Sequence, residues 1–257
     1  MNDYLIKLAC NEDEKRVIAR LIELAQRAVD GIGGASDFLD LRQQELARAV
    51  AVNQPDIIWR LDGGYEEAER QRLAVAPLWE TEPDNRITYL RIIHKEYKQQ
   101  SLGHRDYLGA VVNLGLKREK LGDILVQNTM AFLIVDVSIA DFICQQLNRV
   151  KHSSVLVEII SREDFVYEPP ELKTIQISLA SLRLDAAIGA AFNLSRSEVD
   201  TYIEGGNAKI NHREVYKCSA AIKAGDLISV RGLGRFRLEE MGGTSRKGRH
   251  YVKISRY

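Results

Sequence analysis

Phosphate binding is the chemistry that the C-terminal quarter of this 257-residue sequence is best equipped to do. Arg183 opens an apolar-periodic run over 184–191, and Ser195-Arg196-Ser197 opens a second run that stops at Gly205-Gly206. A helix start offers unpaired backbone N–H groups and a positive dipole end, and a guanidinium adds a two-pronged contact to an anion. Two short helices in succession are therefore expected to bring Arg183, Ser195, Arg196 and Ser197 near one another around a phosphate. Lys209, Asn211, Arg213 and Lys217 extend that surface along the hairpin that follows. Arg183 has a structural alternative, an ion pair with Asp185 or Glu198, and Leu184, Ile203, Gly206 and Asp226 read as structural residues. Lys117-Arg118-Glu119-Lys120 is a second candidate contact through its three cations, with a solvated face as the alternative.

Other chemistries find less support. His104-Arg105-Asp106 imitates a kinase catalytic loop, but the required Asn falls at Val111, and neither a Gly-rich loop nor Asp-Phe-Gly accompanies it. The segment reads instead as a helix-start cluster. Gly31-Ile32-Gly33-Gly34 follows a helical run and lacks the third spaced Gly of a dinucleotide fingerprint. The five histidines show no metal-ligand spacing. No cofactor, metal or small-molecule ligand is expected, and no residue is assigned as catalytic.

Charge points the same way as the arginines. The chain balances 36 Lys+Arg against 36 Asp+Glu, yet residues 181–257 carry 14 basic and 8 acidic groups while residues 1–180 carry 22 and 28. A basic end on an acidic body suits a polyanion, with a solvated basic tail as the alternative. A hydrophobic fraction of 45% supports proper cores, and the longest apolar run, residues 130–135, is far below membrane-span length. The first residues contain no apolar leader, which argues against secretion. Three cysteines, odd in number and far apart, fit a reducing compartment.

These residues need elements to hold them. Helical spacing of Val17, Ile18, Leu21, Ile22, Ala25, Ala28 and Val29 predicts a helix halted by Gly31, Gly33 and Gly34. A second helix is expected over 38–52, a strand over 57–61, a charged helix from Tyr65 and an apolar stretch over 73–78. From residue 87 the order is strand (87–93), helix (106–114), two strands (124–127 and 130–135) joined at Asn128-Thr129, helix, and strand (155–160). That order is the ferredoxin-like split unit, which RNA-recognition motifs share, although their aromatic signature is absent and only Phe132 stands in the relevant strand. Ser138 with Asp141 has capping-box spacing for the second of these helices, whose stripe is Ile139, Phe142, Ile143, Leu147 and Val150. Residues 162–171, with Pro169-Pro170, read as a linker. A short strand at 175–179 then leads to the two helices, of which the second has Ser195 and Glu198 as its capping box.

The C-terminal pattern resembles the S4 RNA-binding domain. It shows Arg183-Leu184-Asp185, Ser195-Arg196, Ile203-Glu204-Gly205-Gly206-Asn207-Ala208-Lys209-Ile210-Asn211 and the Gly225-Asp226 turn, with His212 where the family commonly has Gly. Upstream, Gly103-His104-Arg105-Asp106-Tyr107-Leu108-Gly109, Leu114-Gly115-Leu116-Lys117-Arg118-Glu119 and Gly122-Asp123-Ile124 resemble the central motif of the YlmH-like family, also known as photosystem II S4 domain proteins in cyanobacteria and plastids. The resemblance implies an α+β protein of three parts: a mostly helical N-terminal domain (1–82), a ferredoxin-like, RRM-like middle domain (83–168) and a C-terminal S4 module of the αL type (172–257). It also implies partners, namely structured RNA (ribosomal RNA or tRNA) and the large ribosomal subunit, in ribosome-associated quality control of stalled nascent chains. A cytoplasmic location follows, or the chloroplast stroma for a plastid homologue without its transit peptide. The contrasting expectation is an RNA-modifying enzyme that uses S4 for substrate delivery, with Asp106 or Asp123 as its acid.

Overall fold

Asn11 separates the first two helices, α1 (Asn2–Lys7) and α2 (Glu12–Val29). Its side chain accepts from the Glu14 N–H, and Glu12, Asp13 and Glu14 complement the positive helix end. Ile18, Leu21, Ala25 and Ala28 form the buried stripe of α2. They pack with α3 (Leu41–Val52), which begins at an Asp40–Gln43 capping box, and with an antiparallel sheet of order β1-β3-β2. Its strands are β1 (Gly34–Ala35), β2 (Ile57–Asp62) and β3 (Arg72–Pro77), so the apolar stretch expected at 73–78 is the central strand. The charged helix expected from Tyr65 does not form. Residues 63–71 are an irregular loop because the Glu69 and Arg70 N–H groups donate to the Asp123 carboxylate, at 2.7 and 3.2 Å, instead of to helical carbonyls. Gly63 is pressed so closely there that a Cβ would lie 2.3 Å from Ala68 Cβ.

The computed structural model describes residues 2–95, 102–127, 130–167, 173–244 and 248–256. They divide into two compact units, Met1–Glu168 and Pro169–Tyr257. The second half of the first unit contains β4 (Ile87–His94), α4 (His104–Val112), β5 (Leu121–Gln127), β6 (Met130–Asp136), α5 (Ala140–Gln146), the short β7 (Arg149–Val150) and β8 (Ser153–Ile160). Sheet order is β5-β6-β4-β8-β7, antiparallel throughout, which gives the four long strands the ferredoxin-like neighbours. The expected Asn128-Thr129 connection lies outside the described residues, although Gln127 and Met130 pair in register beside it. Helices α4 and α5 cover one sheet face, burying Leu90, Ile92, Tyr107, Val111, Leu133 and Ile143.

Two expectations for α5 are corrected. Ser138 does not cap it: Asp136 accepts the Ser138 N–H and hydroxyl, and a 3-10 turn, Val137–Ile139, precedes the helix. Phe142 leaves the apolar stripe at 43% exposure.

The other sheet face is closed by the chain itself. Phe165, from the segment expected to be linker, is buried with its ring 4.9 Å from Tyr89 and 5.1 Å from Phe132. Arg162 stacks over Tyr89 and Phe165, and Phe38 and Tyr65 arrive from the N-terminal half. Tyr89 donates to Gly64 O at 2.7 Å. The Glu168-Pro169-Pro170-Glu171 part of the expected linker lies outside the described residues.

The second unit runs β9 (Lys173–Leu179), α6 (Leu184–Phe192), α7 (Arg196–Glu204), β10 (Ala208–Ile210), β11 (Arg213–Glu214), β12 (Leu227–Val230), β13 (Gly234–Thr244) and β14 (His250–Arg256). Its sheet order is β11-β10-β12-β13-β14-β9. Leu184, Ile188, Val199 and Ile203 of the helices bury against Ile228, Phe236, Val252 and Ile254 of one sheet face. Among the described residues no helix is long and apolar enough to cross a membrane.

Candidate nucleic-acid interface

Helix α7 is built as its sequence spacing predicts. Ser195 is the N-cap, its N–H donates to Glu198 Oε2 at 2.8 Å, and its hydroxyl lies 2.6 Å from the same oxygen. The hydroxyl and N–H of Ser195 hold the Glu198 carboxyl below its usual range, so the cap is charged and intact at neutral pH. Arg196 and Ser197 follow in the first turn, both exposed, with Ser197 Oγ 3.3 Å from Ser195 Oγ. The cap fixes the backbone of the helix start that carries Arg196, where unpaired N–H groups and the positive dipole end favour an anion.

Arg183 is placed differently from expectation. Its Nε and Nη2 grip both oxygens of Asp185, at 3.0 and 2.5 Å, which is the structural alternative. The two helix starts also lie apart along the chain path. Asn193, in the left-handed region at φ 55°, turns the chain so that α7 starts from the far end of α6. Nine helical residues at about 1.5 Å each put about 13 Å between the two helix starts. Arg183, gripped by Asp185, and Arg196 therefore start from opposite ends of α6.

The hairpin residues divide as well. Lys209 alternates with Ala208 and Ile210, whose side chains join the helix-side core, so Lys209 faces the opposite side of the sheet, 3.4 Å from Glu214. Register sets Lys209, Ser229 and Arg235 in one row across β10, β12 and β13, with Arg237 two residues along on the same face. These arginines lie in the basic stretch 229–257, outside the residues expected at the helix starts and hairpin. Their signal was present in the alternation Arg235-Phe236-Arg237-Leu238, in which Phe236 and Leu238 are fully buried. Arg213 and Lys217 are exposed.

Asn211 is taken up by the fold. Its amide donates to Asp226 Oδ1 and accepts from the Leu227 N–H, both at 2.9 Å. With His212 it forms a two-residue turn between Ile210 and Arg213, at φ 50° and 67°. Both central residues of such a turn need positive φ, which Asn tolerates better than most residues. Asn211→Ala is therefore expected to cost about 2–3 kcal/mol, from two hydrogen bonds at about 1 kcal/mol each plus backbone strain. Denaturant melts check this, and a loss under 0.5 kcal/mol would return Asn211 to the RNA-binding candidates.

The second candidate cluster is likewise largely internal. Arg118 donates to Leu121 O and Gly122 O, and burial pulls its guanidinium down to about 10. Lys120 lies 2.8 Å from Asp37 and 3.2 Å from Asp136. Only Lys117 of the three remains largely exposed, with Glu119 at 3.9 Å. The two acids of the enzymatic alternative are both bound up. Asp106 caps α4 through the Gly103 N–H and pairs with Lys151, and Asp123 holds Tyr65 and the 63–71 loop.

Comparison with known proteins adds to this geometry. Residues 13–78 match the family model "YlmH, N-terminal", and residues 81–164 match "Putative RNA-binding domain in YlmH". Over 223 residues the chain is 34% identical to "Ribosome-associated protein quality control protein P2" of Bacillus subtilis (strain 168), covering 86% of each chain. The chain belongs to the YlmH family. A solved YlmH structure, "Cell division protein ylmH" from Streptococcus pneumoniae, superposes with a TM-score of 0.51 over 62% of this chain and 97% of that one. At 20% identity this establishes likeness of fold. Both YlmH family models fall within the first unit, and the S4-like helices and hairpin form the second.

Proposed function

We propose that this protein binds structured RNA of the large ribosomal subunit, ribosomal RNA or tRNA, and serves cytoplasmic quality control of stalled nascent chains without chemistry of its own. The observation that carries the reading is the match to the Bacillus subtilis relative across 86% of both chains, whose name states ribosome association and quality control. The capped α7 start with exposed Arg196 and the arginine row on β13 supply cations of the kind an RNA backbone recruits. Lys209, Arg213 and Lys217 extend that surface, and Arg183 contributes while tied to Asp185.

Arg196→Ala tests the reading on one preparation measured twice. Its melt should stay within about 0.5 kcal/mol of wild type, because the residue is exposed and Ser195 and Glu198 keep the cap. Its affinity for ribosomes and purified ribosomal RNA should fall by about 1.5–3 kcal/mol, the range for hydrogen bonds to charged groups. Lysine at the same position should recover part of the loss, since it keeps charge but not two-pronged geometry. Wild-type protein that neither sediments with ribosomes nor retains RNA would end the proposal.

A further inference from the structure

The ferredoxin-like half of the first unit presents an unusual distribution of surfaces. RNA-recognition motifs stack bases on aromatic residues of the two central strands. Here those strands are β4 and β6, and Tyr89 and Phe132 stand on the face opposite the helices. That position is already filled, because Phe165 stacks on both rings while the 63–71 loop is tied to Tyr89 and Asp123. Bases cannot reach the aromatic platform without displacing a packed core.

Among the described residues, one end of the same sheet is basic. Arg149 pairs in register with Ser154, and the Lys95 N–H donates to Ser154 O, which sets Lys95 and Arg149 on either side of Ser154. The tight turn between β7 and β8, with Lys151 at φ 52°, carries Lys151 to Asp106 of α4 at 2.8 Å. That contact draws the α4 start, and with it Arg105, to the same rim. His94 of β4, bonded to Tyr107 of α4 at 2.6 Å, anchors the sheet end to the helix. Lys95, Arg105, Arg149 and Lys151 are all exposed, and among the described residues of this set Asp106, paired with Lys151, is the acid. The rim lies in the part of the chain that is acidic as a whole, 22 basic against 28 acidic groups over residues 1–180.

We propose that Lys95, Arg105, Arg149 and Lys151 form a phosphate-binding rim through which the first unit grips an RNA backbone, the sheet face taking no part in base stacking. This rests on the RNA-binding reading above and deepens it. The RNA is recognised there through backbone and shape, with little sequence preference. It gives the protein a contact separate from the α7 start.

The test uses the full chain and measures RNA affinity across a salt series for wild type, Arg196→Ala, the double variant Lys95→Ala/Arg149→Ala, and Phe165→Ala. Each lost phosphate contact removes about 0.7–0.9 from the log–log salt slope, so the double variant should be shallower by about 1.4–1.8 and bind roughly tenfold or more weakly at low salt. Phe165→Ala should gain no affinity, and photo-crosslinks from thiouridine-labelled RNA should fall on the rim. An unchanged slope in the double variant, with wild type still binding and Arg196→Ala still weakened, overturns the rim and leaves the RNA-binding reading standing. A gain of affinity in Phe165→Ala with crosslinks at Tyr89 or Phe132 also overturns it, since the aromatic cap would then be displaceable. Wild type that binds no RNA overturns both.

Discussion

Arg72→Met should cost the first unit about 3–5 kcal/mol, the range for breaking a buried ion pair from one side. Arg72 is 2% exposed, and its guanidinium donates to Ser36 O, Arg86 O and Asp136 Oδ2 at 2.5, 2.8 and 2.8 Å. It also stacks over Phe38 at 5.4 Å. Methionine fills much of the volume and leaves two buried carbonyls and a carboxylate to fend for themselves. Thermal melts should show this as a fall of roughly 6–20 °C, at about 2–4 °C per kcal/mol for a unit of this size. A loss under 1 kcal/mol would mean that Lys120, 3.2 Å from Asp136, already compensates the charge.

The same pair predicts an acid dependence. Burial pushes the Asp136 carboxyl up, but the Ser138 hydroxyl and N–H, with Arg72 and Lys120, more than reverse this and bring it to about 2. A carboxyl lowered in the folded state, from about 3.9 unfolded, stabilises fully above pH 4 and loses that contribution as pH falls toward 2. Arg72→Met should flatten this part of the stability–pH curve.

The second large effect is on RNA affinity. If the protein makes roughly 4–6 phosphate contacts, log K against log salt should slope at about −3 to −5. Raising salt fourfold, from about 50 to 200 mM, would then weaken binding by roughly 60- to 1,000-fold. Exposed ion pairs such as Lys253–Glu240 add little to the fold at either salt concentration, so melts should hardly move over the same range. Affinity that stays flat while salt rises would show that the basic groups are solvated surface rather than interface.

What could be read from the residues alone depended on how far apart the partners lie in the chain. The α7 cap needed only Ser195 and Glu198, three residues apart, and it formed as expected. The strand and helix order over residues 87–160 was equally legible apart from the two-residue β7, because each longer element carries its own periodicity, whereas β13 and β14 were not read. Lys120 looked like a surface cation because its partners, Asp37 and Asp136, lie 83 and 16 residues away. Phe165 looked like linker because nothing local says that a chain leaving β8 will turn back over Tyr89 and Phe132. The separation of the Arg183 and Arg196 helix starts has a local cause: the direction of a helix-to-helix turn decides which ends meet, and apolar spacing does not encode it.

The 63–71 loop has a consequence for how the first unit opens. Amide protons in segments without regular structure ordinarily exchange with solvent fastest. The Glu69 and Arg70 amides are held instead by the carboxylate of Asp123 on β5, which also accepts from the Tyr65 hydroxyl, and burial pushes that carboxyl above its usual range. In deuterium exchange these two amides should therefore behave like residues of a central strand, releasing their protons only when the sheet face itself comes apart. An irregular stretch of chain would then report on the global opening of the unit, while the exposed ends of its regular helices report only fraying.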